Sequence, residues 1–573
     1  MSIDPASMFG VPGERGRQNG GNGLRGRDTL ILIGVFIVLC TIASLMVARD
    51  LSTPGTYYDE VIQAVPAVQF LSGTDEPWRF PGARTESWFG GQFPVMTQGY
   101  MGALKSQALI GFFSLFEPTV SNLRSVTLAW AFMGLLFAML WIRRALGLPE
   151  ALVAGALVAL DPSFLFIASH DWGSFALGFL CRCGGLYFVT RGWMVRSAWQ
   201  LFVGGCLLGL GIYNKVDFGV FLLASALALV FALPRTLWSG TSSRHAGVAA
   251  GLAGLVIGAS PMIVVLQGVF EAARELFRGQ SLGGGEWSEK LNTAVTMLDG
   301  SYFHRLMLSG GSFERMFDVP GAAAGPFLWV FAFSVLVLGA VLLMRRGRGD
   351  GDSVLIFVLL TTLLTMIGIF LTPNATRIHH TLNVYPFPQL VVAIVVVWLF
   401  RVRLNVWRPA LRTASGLLLV LALAGSLYVE ASTLKTIRET GGKGRWSDAF
   451  DRFATELAGQ PGAVVVSLDW GFHGQLLFQA PGLRLIEPIW QMHRSWRLDG
   501  SPAVVYLLHE DAYAVFDYHT RFLSMLRGLP SDAVVIRRHA DREGDTAFVS
   551  VRFTRPHRLI YDGSFKILFP AGG

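Results

Sequence analysis

The sequence predicts an α-helical polytopic membrane protein of about eleven transmembrane helices that ends in an extracytoplasmic α/β domain. Of its 573 residues, 52% are hydrophobic and only 15% are charged, which excludes an ordinary soluble domain. Apolar runs of roughly 17–22 residues recur along the chain, each long enough to cross ~30 Å of hydrocarbon. Basic residues collect between these runs, on alternate connections, as they do in membrane proteins.

The apolar runs define the individual spans. The first follows a basic flank but is long for a cleaved signal sequence, so we interpret it as an uncleaved anchor. The predicted spans are 29–48, 122–142, 150–168, 174–190, 198–213, 218–234, 247–267, 326–344, 353–371, 384–400 and 411–428.

The positions of the arginines predict the orientation. Arg143 with Arg144, Arg191 with Arg196, and the cluster "RRGR" at 345–348 fall on connections that share the side of the N-terminal tail. Such positive connections are typical of the cytoplasmic side, here of a bacterial inner membrane. The net charge of +8 therefore reflects topology, and nucleic-acid binding is not predicted.

Three regions follow from this topology. Residues 1–28 are rich in Gly and Arg and predict a disordered cytoplasmic tail. Residues 29–428 form the transmembrane domain, with large outer loops at 49–121 and 268–325. Residues 429–573 contain strand patterns such as "AVVVSL", "AVVYLLH", "AVVIRR" and "TAFVSVRF" separated by helical stretches, which indicates the α/β domain.

Three carboxylates are predicted at one membrane boundary. Asp59 and Glu60, in "TYYDEVIQ", closely follow the first span, and Asp171, in "SHDWGS", follows the third. A carboxylate here can simply cap a helix. Because two outward turns place acids on the same face, however, we favour a general base with supporting acids.

Cationic side chains are predicted at the same boundary. Lys215 lies in the outer turn of "GIYNKVDFG", Arg377, His379 and His380 lie in "TPNATRIHH", and Lys105 lies late in the first outer loop. Each alone is often an interfacial anchor. Together they are suited to holding a phosphate leaving group.

These motifs occur in a recognisable order. "YYDE" after the first span is followed by "QGYMGALKS", "LRSVTLAW", "SHDWG" and "GLGIYNK". In this order the chain resembles the GT-C membrane glycosyltransferases, in particular the branch of protein O-mannosyltransferases and lipid A aminoarabinose transferases. The likeness covers residues 29–235 best, and the remainder only in layout.

The resemblance implies a reaction and roles for four residues. Such enzymes transfer one sugar from a polyprenyl-phosphate donor to an acceptor hydroxyl on the extracytoplasmic side, with inversion at the anomeric carbon. The acceptor can be a protein, a lipid or a glycan. Asp59 matches the family's catalytic base, Glu60 its partner, Asp171 the acid of the second loop, and Lys215 a cation near the donor phosphate.

One departure concerns metal binding. Some relatives carry an acidic residue or a histidine late in the first outer loop, where it can bind metal; this chain has Gln92 in "GGQFPVM". The resemblance requires no metal. A divalent ion is left open, with His379 and His380 as candidate ligands.

Two other groups invite hypotheses. Arg182 lies deep in the fourth span, at a depth similar to that of Asp161, so we expect an ion pair between them; the alternative is that Arg182 reaches the donor phosphate. In the tail, "SLDWGFHGQ" places Asp469, Trp470 and His473 after a strand, where they either bind a sugar or form a packed turn.

Two other functions fit part of the pattern. A transporter or flippase of a lipid-linked or small substrate would also have many spans, but transporters often show internal repeats, and none is visible in this sequence. An oligosaccharide ligase would move a preassembled chain, and the acidic pair after the first span matches the monosaccharide branch better.

Overall fold

The structure is a computed structural model, and it describes most of the predicted spans. Residues 1–21 of the predicted tail and 268–283 of the second outer loop lie outside the described residues. The described ranges are 22–74, 79–80, 82–232, 242–263, 284–313, 315–345, 350–402, 406–460, 462–491 and 494–570.

Helices dominate the chain as far as residue 440. In chain order they are α1 (Asn22–Val47), α2 (Tyr58–Val61), α3 (Val65–Leu71), α4 (Leu104–Phe113), α5 (Val120–Ala145), α6 (Leu148–Ala159), α7 (Pro162–His170), α8 (Phe175–Val195), α9 (Ala198–Asn214), α10 (Phe218–Ala232), α11 (Ser242–Ile263), α12 (Gly284–Leu298), α13 (Tyr302–Leu308), α14 (Phe327–Met344), α15 (Asp350–Leu371), α16 (Ile378–Thr381), α17 (Phe387–Arg401) and α18 (Arg408–Thr440).

Described helices lie at all eleven predicted positions, and candidate membrane spans account for nine of them. Seven of the described helices are long and apolar enough to cross a membrane, and nine spans result if each of two bent pairs counts as one. The pairs are α6 with α7, bent by 65°, and the segment containing α16 with α17, bent by 40°. At the two remaining predicted positions lie the shorter helices α9 and α10, of 17 and 15 residues. The chain is a multi-pass membrane protein.

Glycines allow α9 and α11 to pack closely. A Cβ atom on Gly205 would lie 2.0 Å from the carbonyl oxygen of Gly251, and one on Gly254 would lie 2.1 Å from that of Phe202. Since lipid gives no hydrophobic drive for helix association, close packing of small residues is the usual way to hold such a pair.

The break between α6 and α7 shapes the third span. Pro162 begins α7, and the side chain of Asp161 caps it by accepting a hydrogen bond from the backbone N–H of Phe164 at 2.9 Å. The span ends at Asp171, whose positive φ of 40° turns the chain sharply toward α8.

A small antiparallel sheet in the first outer loop was not predicted. It has the strand order β1 (Arg84–Trp88), β2 (Gly91–Gln98), β3 (Met101–Gly102). Tyr213, at the end of α9, donates its hydroxyl to the carbonyl of Val95 at 2.7 Å, and Gly102 packs directly on the Tyr213 backbone. The loop is thereby fixed to the membrane bundle near the acidic motif.

Helix α18 runs past the predicted end of the last span at residue 428 and leads into the C-terminal domain. The predicted α/β character of that domain is confirmed, and all four quoted strand patterns form strands. Its elements are α19 (Ala449–Ala458), β4 (Val464–Ser467), α20 (His473–Gln479), β5 (Arg484–Ile486), β6 (Trp496–Gly500), β7 (Val504–His509), α21 (Tyr518–Leu526), β8 (Val534–Ala540), β9 (Thr546–Phe553), β10 (His557–Tyr561) and β11 (Phe565–Leu568).

The C-terminal strands form two sheets. The larger has the order β5-β4-β7-β9-β8, in which β4 is parallel to β5 and β7 and the other pairs are antiparallel. The smaller has the order β11-β10-β6 and is antiparallel. Helix α19 covers one face of the larger sheet through Phe450 and Phe453, which pack on Phe548 of β9.

Candidate active site

Glu60 anchors the short helix α2 to the membrane bundle. The Arg124 guanidinium of α5 binds its carboxylate through two contacts, Nε to Oε1 at 2.6 Å and Nη2 to Oε2 at 2.9 Å. Both side chains are fully buried. Arg124 also donates Nη1 to the carbonyls of Leu51 and Pro54, so it fixes the whole segment that precedes α2.

Asp59, the neighbour of Glu60, is placed differently. Its side chain is partly exposed, and within the described ranges no hydrogen bond or ion pair involves its carboxylate. Burial raises the pKa of Asp59 to about 6, although the charges of Lys215 and Arg377 lower it. At neutral pH this carboxylate is ionised and able to accept a proton.

Asp171 forms a fully buried ion pair with Lys105. The Lys105 Nζ lies 3.0 Å from Asp171 Oδ2 and also donates to the backbone carbonyls of Glu60 and Asp171, at 3.3 and 3.2 Å. The other carboxylate oxygen of Asp171 accepts from the Ala176 backbone N–H at 2.7 Å. The structure therefore brings the turn after the first span and the turn after the third together, with Lys105 between them.

Lys215 lies beside an acid that the sequence analysis overlooked. Its Nζ is 3.1 Å from Asp217 Oδ2, and the same oxygen lies 2.7 Å from His380 Nδ1. Burial raises the pKa of Asp217, but Lys215 and His380 outweigh this effect and the net pKa is lowered. Asp217 follows Lys215 by two residues in the outer turn, so "NKVDFG" itself contained the signal.

The turn after the third span lies directly against Lys215 and His379. Gly173 has a φ of +62°, and a Cβ atom there would lie 3.2 Å from Lys215 Nζ and 3.2 Å from the His379 ring. The Nε2 atoms of His379 and His380 are 3.0 Å apart. A glycine is needed because the backbone adopts a left-handed conformation directly against these two side chains.

Arg377 completes the positive surroundings of Asp59. It forms an ion pair with Glu289 of α12, and its guanidinium lies over the Phe313 ring, 3.9 Å from the centroid. About a third of the side chain is exposed (32%), so it is accessible to an anion. Loop 372–377 is held by α12, since Lys290 donates to the carbonyl of Thr372 at 2.7 Å.

The expected ion pair between Asp161 and Arg182 is wrong. Arg182 donates to the Tyr385 carbonyl at 2.8 Å and to Asn383 Oδ1 at 2.6 Å. Asp161 instead accepts from the Tyr385 hydroxyl at 3.1 Å and from Gln389 Nε2 at 3.2 Å. Neutral groups of the bent span that contains α16 and α17 therefore bind both the Arg182 guanidinium and the Asp161 carboxylate. Tyr385 contacts both residues and so connects them indirectly.

No metal centre is evident at the candidate ligands. Within the described ranges no group of three or more His, Cys, Asp or Glu side chains could hold an ion, and His379 and His380 contact each other. Gln92, on β2, accepts a hydrogen bond from the Thr85 hydroxyl at 2.9 Å, which braces the first-loop sheet.

The C-terminal domain contacts the segment that contains the acidic motif. Asp451 Oδ2 accepts from the Thr56 backbone N–H at 3.2 Å, and Gln479 donates to the Thr56 hydroxyl at 2.9 Å. Trp446 stacks on Tyr57 with the ring centroids 4.1 Å apart. No local sequence signal could have indicated these contacts, because the partners are about 390 to 420 residues apart in the chain.

The tail motif "SLDWGFHGQ" forms a packed turn at this interface. Asp469 accepts from the backbone N–H groups of Val515 and Trp470, and the Trp470 ring lies 4.6 Å from that of Tyr58. His473 begins α20 and is buried, which lowers its pKa to about 3. Of the two readings of this motif, the geometry favours packing over sugar binding.

Comparison with known proteins identifies the fold. No protein-family model matches the chain, and no curated protein matches it in sequence. ArnT from Cupriavidus metallidurans bound to undecaprenyl phosphate is similar in structure, with a TM-score of 0.53 and 12% identity over 92% of this chain and 98% of that chain. Its apo state gives the same TM-score and identity over 92% and 97%.

A second protein is similar to a smaller extent. The Archaeoglobus fulgidus oligosaccharyltransferase in the apo form gives a TM-score of 0.48 and 11% identity over 80% of this chain and 64% of that chain. ArnT is a GT-C glycosyltransferase. The GT-C fold predicted from the acidic motif and its neighbours is confirmed.

Proposed function

We propose that this protein is a membrane glycosyltransferase that moves a monosaccharide from a polyprenyl-phosphate donor to an acceptor hydroxyl. The observation that supports this most is the Asp59 carboxylate, which is partly exposed and flanked by the charges of Lys215 and Arg377 within a GT-C fold. The ArnT structure with the same fold holds undecaprenyl phosphate, which supports a lipid-phosphate donor.

The proposed reaction is a direct displacement with Asp59 as general base. The acceptor oxygen attacks the anomeric carbon while its proton passes to the Asp59 carboxylate. The bond from the anomeric carbon to the phosphate oxygen breaks, and polyprenyl phosphate leaves with the electron pair. Attack opposite the leaving group inverts the anomeric configuration. A raised pKa suits Asp59, because a base is most effective when its pKa is near the working pH.

We assign the leaving phosphate to Lys215 and Arg377, with His379 and His380 beside them. Asp217 and Glu289 orient these cations through ion pairs. Partner carboxylates hold the cations in place before the donor arrives, and preorganised charge of this kind stabilises a developing anion most effectively. Arg182, fully buried on the Tyr385 carbonyl, instead positions the bent span that carries the two histidines.

Glu60, Lys105 and Asp171 act in this proposal as positioning residues. Each is fully buried, and each is already engaged in an ion pair. Their contacts join α2, α4 and the turn after α7, which fixes the direction in which Asp59 points. We therefore assign Lys105 to holding the two outer turns together, and not to direct contact with phosphate.

The proposed location is a bacterial inner membrane with the N-terminus in the cytoplasm. The arginine-rich connections support this orientation. It places Asp59 and the C-terminal domain on the extracytoplasmic side, where a protein, lipid or glycan acceptor would be met.

A donor panel tests the function. The purified full chain in nanodiscs is incubated with radiolabelled sugars linked to polyprenyl phosphate, together with extracts of envelope lipids, glycans and proteins. We expect label to leave the prenyl lipid and appear on a new acceptor. Label that stays on every donor, while intact donor crosses the bilayer of proteoliposomes, would instead identify a transporter. Consumption of lipid-linked oligosaccharides alone would identify a ligase.

A further inference from the structure

A polar hollow lies where the first and last membrane helices meet the C-terminal domain. Its volume is about 300 Å³, and its lining contains no apolar residue. The lining consists of Arg49, Asp50, Ser52, Thr53, Arg438 and Arg542.

The hollow carries more positive than negative charge. Arg438 forms an ion pair with Asp50, with its Nη2 atom 2.8 Å from Oδ2. Arg542 forms an ion pair with Asp448, also with Nη2 2.8 Å from Oδ2. Asp448 also pairs with Arg452 outside the hollow, so these two groups counted together do not change the net charge of the lining. Three arginines against one aspartate leave the lining with a net charge of +2.

Arg49 is the third cation of the hollow. Its side chain is exposed, and no hydrogen bond or ion pair to it forms within the described ranges. Arg438 and Arg542 keep 49% and 43% of their side chains exposed, so each retains donors that face solvent. Guanidinium groups bind phosphate through two parallel hydrogen bonds, and a group of three is well suited to one phosphate.

The hollow also lies at the edge of the membrane. The apolar candidate span that contains α1 ends at Asp50, and Leu45, one turn before Arg49, has 70% of its side chain exposed, as lipid-facing residues do. The other wall comes from the end of α18 and from the C-terminal domain. The opening is therefore at the level of the lipid headgroups, on the side that carries the C-terminal domain.

We propose that this hollow binds a phosphate-bearing anion, supplied by the headgroup of an anionic lipid in the adjacent leaflet. Arg49, Arg438 and Arg542 bind the phosphate, and the hydroxyls of Ser52 and Thr53 are available as additional donors. Bound lipid would join the end of the first candidate span, α18 and the C-terminal domain, because each contributes one arginine. The site shares no lining residue with the Asp59 group and does not depend on the proposed reaction.

Thermal unfolding of the delipidated full chain in detergent tests this proposal. The protein is titrated with short-chain phosphatidic acid, with phosphatidylcholine of the same chain length, and with inorganic phosphate. We expect saturable stabilisation by phosphatidic acid, little by phosphatidylcholine, and only weak stabilisation by inorganic phosphate. Arg49→Ala should raise the half-saturating concentration of phosphatidic acid about tenfold. Because Arg49 has no described partner, this variant leaves the fold intact.

Arg521→Ala is the matched control. Arg521 is an exposed arginine of the C-terminal domain, paired with Asp517 outside the hollow, and its removal should leave the titration unchanged. If inorganic phosphate and phosphatidic acid stabilise the protein equally, and Arg49→Ala abolishes both effects, the hollow is a phosphate site whose ligand is a soluble phosphate. A wild-type titration curve for Arg49→Ala, or equal stabilisation by phosphatidylcholine, would overturn the proposal.

Discussion

Glu60 and Arg124 form a fully buried, two-contact ion pair, with Nε 2.6 Å from Oε1 and Nη2 2.9 Å from Oε2. Adjacent residues of a helix point about 100° apart. Asp59 therefore points in a different direction from Glu60, and the charges of Lys215 and Arg377 act on its carboxylate. The two acids of the motif are therefore placed differently, since Glu60 is buried in an ion pair and Asp59 is partly exposed.

Glu60→Gln should destabilise the protein. The substitution leaves the Arg124 charge buried without its carboxylate, and breaking a buried pair in this way costs about 3–5 kcal/mol. Thermal or denaturant unfolding of the purified protein would measure the loss. Glu86→Gln is the control, since Glu86 pairs with Arg84 at the surface (38% and 51% exposed), where an ion pair contributes little. Equal stability of Glu60→Gln and wild type would contradict the anchoring role.

Lys105 and Asp171 should show the pattern of a mutually dependent buried pair. Asp171→Asn leaves the Lys105 ammonium without its counter-ion, so we expect a large loss of stability. The double variant Lys105→Met with Asp171→Asn should be more stable than Asp171→Asn alone, because no isolated charge remains. A double-mutant cycle on unfolding free energies measures this coupling. Additive losses would show that the two side chains act independently.

The pH dependence of transfer should follow the Asp59 carboxylate. Its pKa of about 6 means that the base is ionised above pH 7 and becomes protonated as the pH falls through 6. We expect kcat/KM to fall about tenfold for each pH unit below 6. Initial rates between pH 5 and 8 measure this limb, and a flat profile down to pH 5 would show that another group is the base.

Lys215→Gln should move the acidic limb of the pH–rate profile to higher pH. The Lys215 charge lowers the Asp59 pKa, so its removal allows burial to raise the pKa further. The variant should also bind the donor more weakly, with a higher KM. Lys215→Arg keeps the charge and should restore the position of the limb. An unmoved limb in Lys215→Gln would separate Lys215 from the base.

The layout of the fold could be predicted from local sequence. Long apolar runs predicted the positions of nine candidate membrane spans, including the bent one interrupted by Asp161 and Pro162. Four of the eight described C-terminal strands were predicted, because alternating and continuous β-branched runs are local signals. Order and spacing of short motifs also indicated the GT-C fold, which the likeness to ArnT confirms.

The pairing of buried charges could not be predicted in the same way. The depth of each residue along its helix placed Asp161 near Arg182, but it did not indicate the direction in which either side chain points around the helix axis. Tyr385 instead forms a hydrogen bond with each of them, through its carbonyl to Arg182 and through its hydroxyl to Asp161. The position of Lys105 in the sequence likewise predicted an exposed cation, but the side chain is buried in an ion pair with Asp171. The hydrogen bond from the Thr56 backbone N–H to Asp451 joins two parts of the chain that are 395 residues apart and share no sequence pattern.

The most direct test of the account is the transfer rate of Asp59→Asn compared with that of Asp318→Asn. Asp318 is an exposed acid of the second outer loop, so its substitution is the matched control. Asparagine preserves size and cannot accept the proton. We predict that Asp59→Asn lowers kcat by about 10²–10⁴-fold, with donor binding retained and stability close to wild type, and that Asp318→Asn transfers sugar normally. Wild-type turnover by Asp59→Asn would contradict the assignment of the base.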